Sequence, residues 1–169
     1  MVRTVLTFPD KVLKEVSRPV TAFNHELGTL LDDMFDTMME QNGVGLAAIQ
    51  IGVEQRAIVI CIPDEEGSQN PDDRLEIINP ELIHGEGSTL YQEGCLSVPD
   101  YYEDVERFER VIVRYQDRHG TLQEQSADGL LAIAFQHEMD HLDGKLFVER
   151  LPLLKRKKFE KEWKKRLRG

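Results

Sequence analysis

The stretch Gln136-His137-Glu138-Met139-Asp140-His141-Leu142-Asp143-Gly144 sets two imidazoles four residues apart, with a carboxylate directly after the first. Four residues make slightly more than one helical turn, so His137 and His141 project from the same face. Imidazoles stacked in this way can share one divalent cation. The neighbouring Glu138 can reach a water beside that cation and take its proton without ligating the metal. The pattern is two thirds of a hydrolytic metal site with a built-in base.

The third ligand must come from elsewhere in the chain. The longer motif H-E-x-x-H-x-x-G-x-x-H is followed as far as Gly144, and then Phe147 stands where the last histidine belongs. Glu149, Glu160 and Glu162 lie downstream, which leaves open a metallopeptidase with a glutamate ligand, although the last two sit in a basic segment. The remaining soft ligand is Cys95, in Glu93-Gly94-Cys95-Leu96-Ser97. Sulfur with two imidazoles leaves one coordination position open, as catalytic sites require. The other histidines, His25, His84 and His119, fall in caps, strands or turns and read as solvated or hydrogen-bonded. Cys61 sits inside the apolar run 57–62 and reads as an inert core thiol.

A further unusual stretch is Gly43-Val44-Gly45-Leu46-Ala47-Ala48-Ile49-Gln50. It loosely matches a dinucleotide-binding fingerprint, but that motif needs a strand before it and a helix after it. Here an amphipathic helix precedes and a strand follows. Two glycines among small residues instead let main chain pass close to a substrate, and Gln50 offers an amide donor.

The elements that must carry these groups are legible from periodicity. Asn24 caps a helix to about residue 41, with Leu27, Leu30, Leu31, Met34, Phe35 and Met38 as its apolar stripe. Strands are expected at 57–62, 75–79, 82–91, 105–115 and 122–126, with a polar loop at 63–73 and a hairpin turn at Asp117-Arg118-His119-Gly120. A second helix starts near Asp128 and stops at Gly144, and it carries the histidines. A third begins after Pro152, with Phe159, Trp163 and Leu167 as one stripe. The expected class is α+β: largely antiparallel sheets around a central metal-binding helix, with an N-terminal and a C-terminal helix.

Composition bounds the rest. A chain of 169 residues suits one domain, 1–169, including the basic helix 153–168. It has no signal-like start and no run near the roughly 18 apolar residues that span a bilayer, so no membrane partner and a cytoplasmic location are expected. Two cysteines make no disulfide framework. The net charge of −10 hides an asymmetry: residues 155–169 hold nine Lys/Arg against two Glu, leaving 12 basic and 29 acidic groups in the body. Phosphates repel such a body, which argues against DNA, whereas the basic tail can reach an anionic surface.

Taken together, GVGLAAIQ at 43–50, EGCLS at 93–97 and QHEMDHLDG at 136–144 resemble the three motifs of the peptide deformylase family, in the family's order and spacing. The similarity extends to Asn79-Pro80-Glu81 and Gly144-Lys145-Leu146-Phe147. The resemblance implies a metal-dependent hydrolase that removes the N-formyl group from the first methionine of new polypeptides and releases formate. It implies Cys95, His137 and His141 as metal ligands and Glu138 as general base. It assigns Gln50 and the Leu96 N–H to the formyl oxygen. Val44, Gly45, Tyr91, Leu130, Ile133 and Ala134 would hold the substrate, mostly as the slot for its methionine. The implied cofactor is one divalent ion, Fe(II) in cells with Zn or Ni as replacements. The implied partners are formylmethionyl peptides and, through the C-terminal helix, the ribosome. Departures are Phe108 where members often have proline, a longer 63–73 loop, and Tyr101-Tyr102 where some members carry an arginine.

Overall fold

The computed structural model describes residues 1–169. Its helices are α1 (His25–Glu40), α2 (Gly129–Leu142) and α3 (Leu153–Arg168). Its strands are β1 (Gly45–Ala47), β2 (Ala57–Ile60), β3 (Leu75–Glu86), β4 (Thr89–Cys95), β5 (Val98–Arg107), β6 (Arg110–Gln116) and β7 (Leu122–Asp128). All named strand pairs are antiparallel: a five-stranded sheet in the order β1-β2-β3-β6-β7 and a separate β4-β5 pair. This is the α+β architecture expected from the pattern.

α1 starts as its cap predicts, with the Asn24 side chain accepting the Leu27 N–H at 3.1 Å. Its stripe packs with β2 into a first core of Leu27, Leu31, Met34, Met38, Val59 and Cys61. The methionines are core filler, and Cys61 is fully buried. On the other face of the sheet, α2 contributes Ala132, Phe135 and Leu142 to a second core with Ile58, Ile60, Ile77 and Val113. β2 is buried at every position because it has a helix on each side.

The third core joins Val98, Tyr101 and Val105 of β5 to Phe147, Leu151 and the α3 residues Phe159 and Trp163. Thus α3 is not an appendage. Its expected stripe is shortened, however: Leu167 is 64% exposed, because in the last turn it is Arg166 that faces β5.

Strand boundaries differ from expectation in several places, and the short β1 was not expected. β3 continues through Asn79-Pro80 as one strand, by bulges that shift its register against β6. Asn79 adopts a φ of 51°, and its amide exchanges hydrogen bonds with both main-chain groups of Val20. The expected run 82–91 breaks at Gly87-Ser88, and the run 105–115 breaks at Phe108-Glu109. β5, rich in acidic residues, was not expected before residue 105.

Candidate active site

α2 presents His137 and His141 at one face, and β4 ends at Cys95 against them. One donor atom from each of Cys95, His137 and His141 lies within 4.8 Å of the other two. Cys95 Sγ and His141 Nε2 are 3.3 Å apart, about the spacing of two ligands on one tetrahedral ion with bonds near 2.0–2.3 Å. Glu149, Glu160 and Glu162 do not join this group. The metallopeptidase with a glutamate as third ligand therefore has no structural counterpart.

His137 is oriented from behind. Its Nδ1 lies 2.8 Å from Glu93 Oε1, and a carboxylate only accepts, so Nδ1 carries hydrogen and Nε2 is left for the site. Glu93 is itself gripped by the Arg107 fork at 2.7 and 2.9 Å, and Arg107 Nη1 also reaches Asp140 at 2.7 Å. Arg150 donates twice more to Asp140. Asp140, an inward carboxylate between the two histidines, needs a cationic partner, and Arg107 is one. Glu93 and Arg150 were missed. Glu93 stands two residues before Cys95, and a strand reading of 89–95 would have placed both on one face.

The electrostatics favour a cation. Burial pushes the His137 imidazole down, but its contacts with Cys95 and Glu93 overcome this and hold it well above its usual range. Burial, then the charge on His137, pushes His141 well below its own. The site thus favours one positive charge between the histidines and resists a second proton. Glu138 is pushed up to about 7, chiefly by burial. Its Oε2 is buried without a hydrogen-bond partner in the protein, as is His141 Nδ1. An unpartnered carboxylate oxygen beside a Cys-His-His donor set fits a divalent ion with a reacting water.

The glycine-rich stretch forms the facing wall. A Cβ at Gly45 would sit 3.0 Å from Glu138 Cγ, so glycine leaves room for that carboxylate. Gln50 accepts the Ala47 N–H at 2.9 Å and donates to Ser97 Oγ at 3.0 Å, with Cys95 Sγ at 3.5 Å. No acceptor in the chain takes the Leu96 N–H. A cleft of about 590 Å³ opens onto these groups, and its lining includes Val44, Gly45, Gln50, Tyr91, Cys95, Leu96, Leu130, Ile133, Ala134, His137 and Glu138. His141 is fully buried behind that wall. Ile133 is 4% exposed yet belongs to none of the three cores.

An α+β fold that holds a Cys-His-His donor set beside a buried carboxylate defines the class of metal-dependent hydrolases to which the chain is similar throughout. The polypeptide deformylase family model matches residues 2–157. A peptide deformylase of Nautilia profundicola is 57% identical over 164 residues, covering 97% of this chain and 94% of the relative. The crystal structure of a peptide deformylase from Legionella pneumophila superposes with a TM-score of 0.89 at 44% identity, covering 99% of this chain and 98% of the other. The Met-Ala-Ser-bound peptide deformylase of Acinetobacter baumannii gives 0.83 at 38% identity, over 89% of this chain and 99% of the other. The chain belongs to the peptide deformylase family. It is an enzyme, a metal-dependent hydrolase that removes the N-formyl group from formylmethionyl peptides.

Proposed function

We propose that Cys95, His137 and His141 hold the catalytic ion and that Glu138, Gln50 and Leu96 carry the chemistry on the formyl group. The observation that supports this most is the buried, unpartnered Glu138 Oε2 at the mouth of a three-donor cluster. A divalent ion there supplies Lewis acidity toward water and the formyl oxygen. Sulfur and imidazole donors suit Fe(II), our choice for the ion in cells, as well as Zn or Ni.

Glu138 takes a proton from the attacking water as its oxygen bonds to the formyl carbon. The formyl oxygen, gaining charge, accepts from Gln50 Nε2 and the Leu96 N–H; one such donor contributes a factor of about 10²–10³ in rate. The C–N bond then breaks, formate departs, and Glu138 returns its proton to the peptide nitrogen. Gln50 arrives oriented, because Ala47 and Ser97 fix both ends of its amide. Val44, Gly45, Tyr91, Leu130, Ile133 and Ala134 receive the methionine side chain and adjoining backbone, with apolar contacts and no cationic group. A formyl carbon bears only hydrogen, so the narrow space beside Gly45 and Glu138 admits it and excludes larger acyl groups.

We further read residues 1–169 as one catalytic domain that works in the cytoplasm, where nascent chains emerge. Lys157, Lys161, Lys164, Lys165 and Arg168 on α3 make no ion pair, leaving a basic outer face for ribosomal RNA. Truncating α3 would strip Phe159 and Trp163 from the third core, so the test is charge reversal. Lys157→Glu with Lys161→Glu should abolish low-salt co-sedimentation with ribosomes and spare peptide hydrolysis. For the site, the holoenzyme should release formate from formyl-Met-Ala and leave acetyl-Met-Ala intact. Cys95→Ala should lose its metal; a metal-loaded Cys95→Ala protein would refute the ligand assignment.

A further inference from the structure

The start of β5 lines the cleft with Pro99, Asp100 and Tyr102, none of them in the methionine slot proposed above. Asp100 has a φ of 58°, a left-handed backbone that non-glycine residues seldom adopt. Such a conformation persists only where surrounding groups enforce it. The carbonyls on either side of the Asp100 nitrogen are gripped by a side chain from the far end of the chain.

Arg166, in the last turn of α3, donates from Nη1 to the Pro99 carbonyl at 2.8 Å and from Nη2 to the Asp100 carbonyl at 3.0 Å. The guanidinium carbon lies 5.0 Å from the Trp163 ring centroid and 5.9 Å from that of Tyr101. Trp163 is anchored in turn by its indole N–H, which donates to the Phe8 carbonyl at 3.2 Å. Phe8 donates its own N–H to Ser97, the residue that holds Gln50. A planar fork with fixed donors matches two successive carbonyls, whereas a lysine ammonium acts only as a point charge.

Val98 and Tyr101 anchor this rim in the third core, and the residues between and after them face outward. Pro99, Asp100 and Tyr102 are all exposed. The Tyr102 ring lies over Gly94, where an added Cβ would meet ring carbons at 2.5 Å. Movement of the 99–102 segment therefore shifts the cleft wall immediately before Cys95. No lysine or arginine lines the cleft, so no cation there could grip a peptide backbone, and the shape of the rim matters the more.

We infer that Arg166 is a positioning residue for the reaction: its fork sets the Pro99–Asp100 rim in the shape that receives substrate residues beyond the first methionine. This rests on the reading of the cleft as the peptide site. It gives α3 an inward role separate from its basic outer face, and Arg166 lies outside the stretch matched by the family model.

The test compares formyl-Met amide with formyl-Met-Ala-Ser on metal-loaded wild type, Arg166→Met and Arg166→Lys. Arg166→Met should raise KM for the tripeptide about 3–10-fold, the scale of one net hydrogen bond, with its kcat and both constants for formyl-Met amide unchanged. Arg166→Lys should recover less than half of that loss. Low-millimolar guanidinium should restore the Arg166→Met KM by refilling the slot. Unchanged tripeptide KM, or equal losses on both substrates, would overturn the role of Arg166. Should Arg166→Met fail to fold, the same substrate comparison on Arg166→Lys decides. Wild type that releases formate from neither substrate would overturn the reading of the cleft instead.

Discussion

Replacing Arg107 by methionine removes the one cation shared by Glu93 and Asp140 while keeping similar apolar bulk. The side chains of Arg107 and Glu93 are each 3% exposed, and that of Asp140 11%. Three charge-assisted hydrogen bonds of 2.7–2.9 Å are lost together. Asp140 keeps both bonds from Arg150, so the deficit falls on Glu93, left buried with only His137. Breaking a buried pair from one side costs about 3–5 kcal/mol, which for a domain of this size lowers Tm by about 6–20 °C. Glu93 is also the group that orients His137, and loss of such support weakens metal binding by about 10–100-fold. Thermal unfolding of chelator-treated protein and competition for zinc against a chelating dye would measure the two effects separately. Arg150→Met is the control: Arg150 is 46% exposed, so its ion pair contributes under ~1 kcal/mol and metal affinity should hold. An Arg107→Met protein as stable as Arg150→Met and with wild-type metal affinity would refute the reasoning.

Glu138→Ala should retain its metal, because the three ligands are untouched, and lose about 10²–10⁴ in kcat; metal analysis beside a formate assay checks both halves. Trp163→Ala empties a site 7% exposed between Phe8 and Phe159 and should cost about 3–5 kcal/mol in urea unfolding. Burial pushes the Asp117 carboxyl up, but the N–H groups of His119 and Thr121 overcome this and hold it below its usual 3.8. Its ionised form is thus the one favoured by folding, a contribution present above pH 3.8 and lost as pH falls through the folded value. Asp117→Asn, which keeps an acceptor without the charge, should be less stable than wild type at pH 7 and draw level near pH 2; a gap independent of pH would count against it.

Much of this molecule is written in local patterns. Asn24 and the stripe from Leu27 to Met38 specify α1, and the spacing of His137 and His141 specifies both a helix and its functional face. The pairing of Arg107 with Asp140 follows from charge needing compensation inside a core. The β4–β5 pair was harder to read, because Asp100, Glu103, Asp104 and Glu106 interrupt the apolar alternation of β5, which buries only Val98, Tyr101, Val105 and Arg107. Burial there is set by α3 and Phe147, distant in sequence, so no window along β5 contains the signal. Pro80 is a similar case: the strand survives it through bulges whose supporting contact, Val20, lies far upstream. Arg166 was legible only as one more charge in a basic tail. Its role depends on where α3 docks.

The three donors do not belong to one hydrophobic cluster. Cys95 packs against the third core, built on β5 and α3, whereas α2 is embedded in the second, built on the large sheet. A ligand that binds only the native arrangement stabilises whatever must be ordered to form its site. Here that is both clusters at once. Occupancy of the site therefore couples two regions that local opening could otherwise visit separately, and the loaded enzyme should unfold with greater cooperativity than either cluster has alone. An ion held by the three proposed ligands would be, in thermodynamic terms, a clasp across a seam.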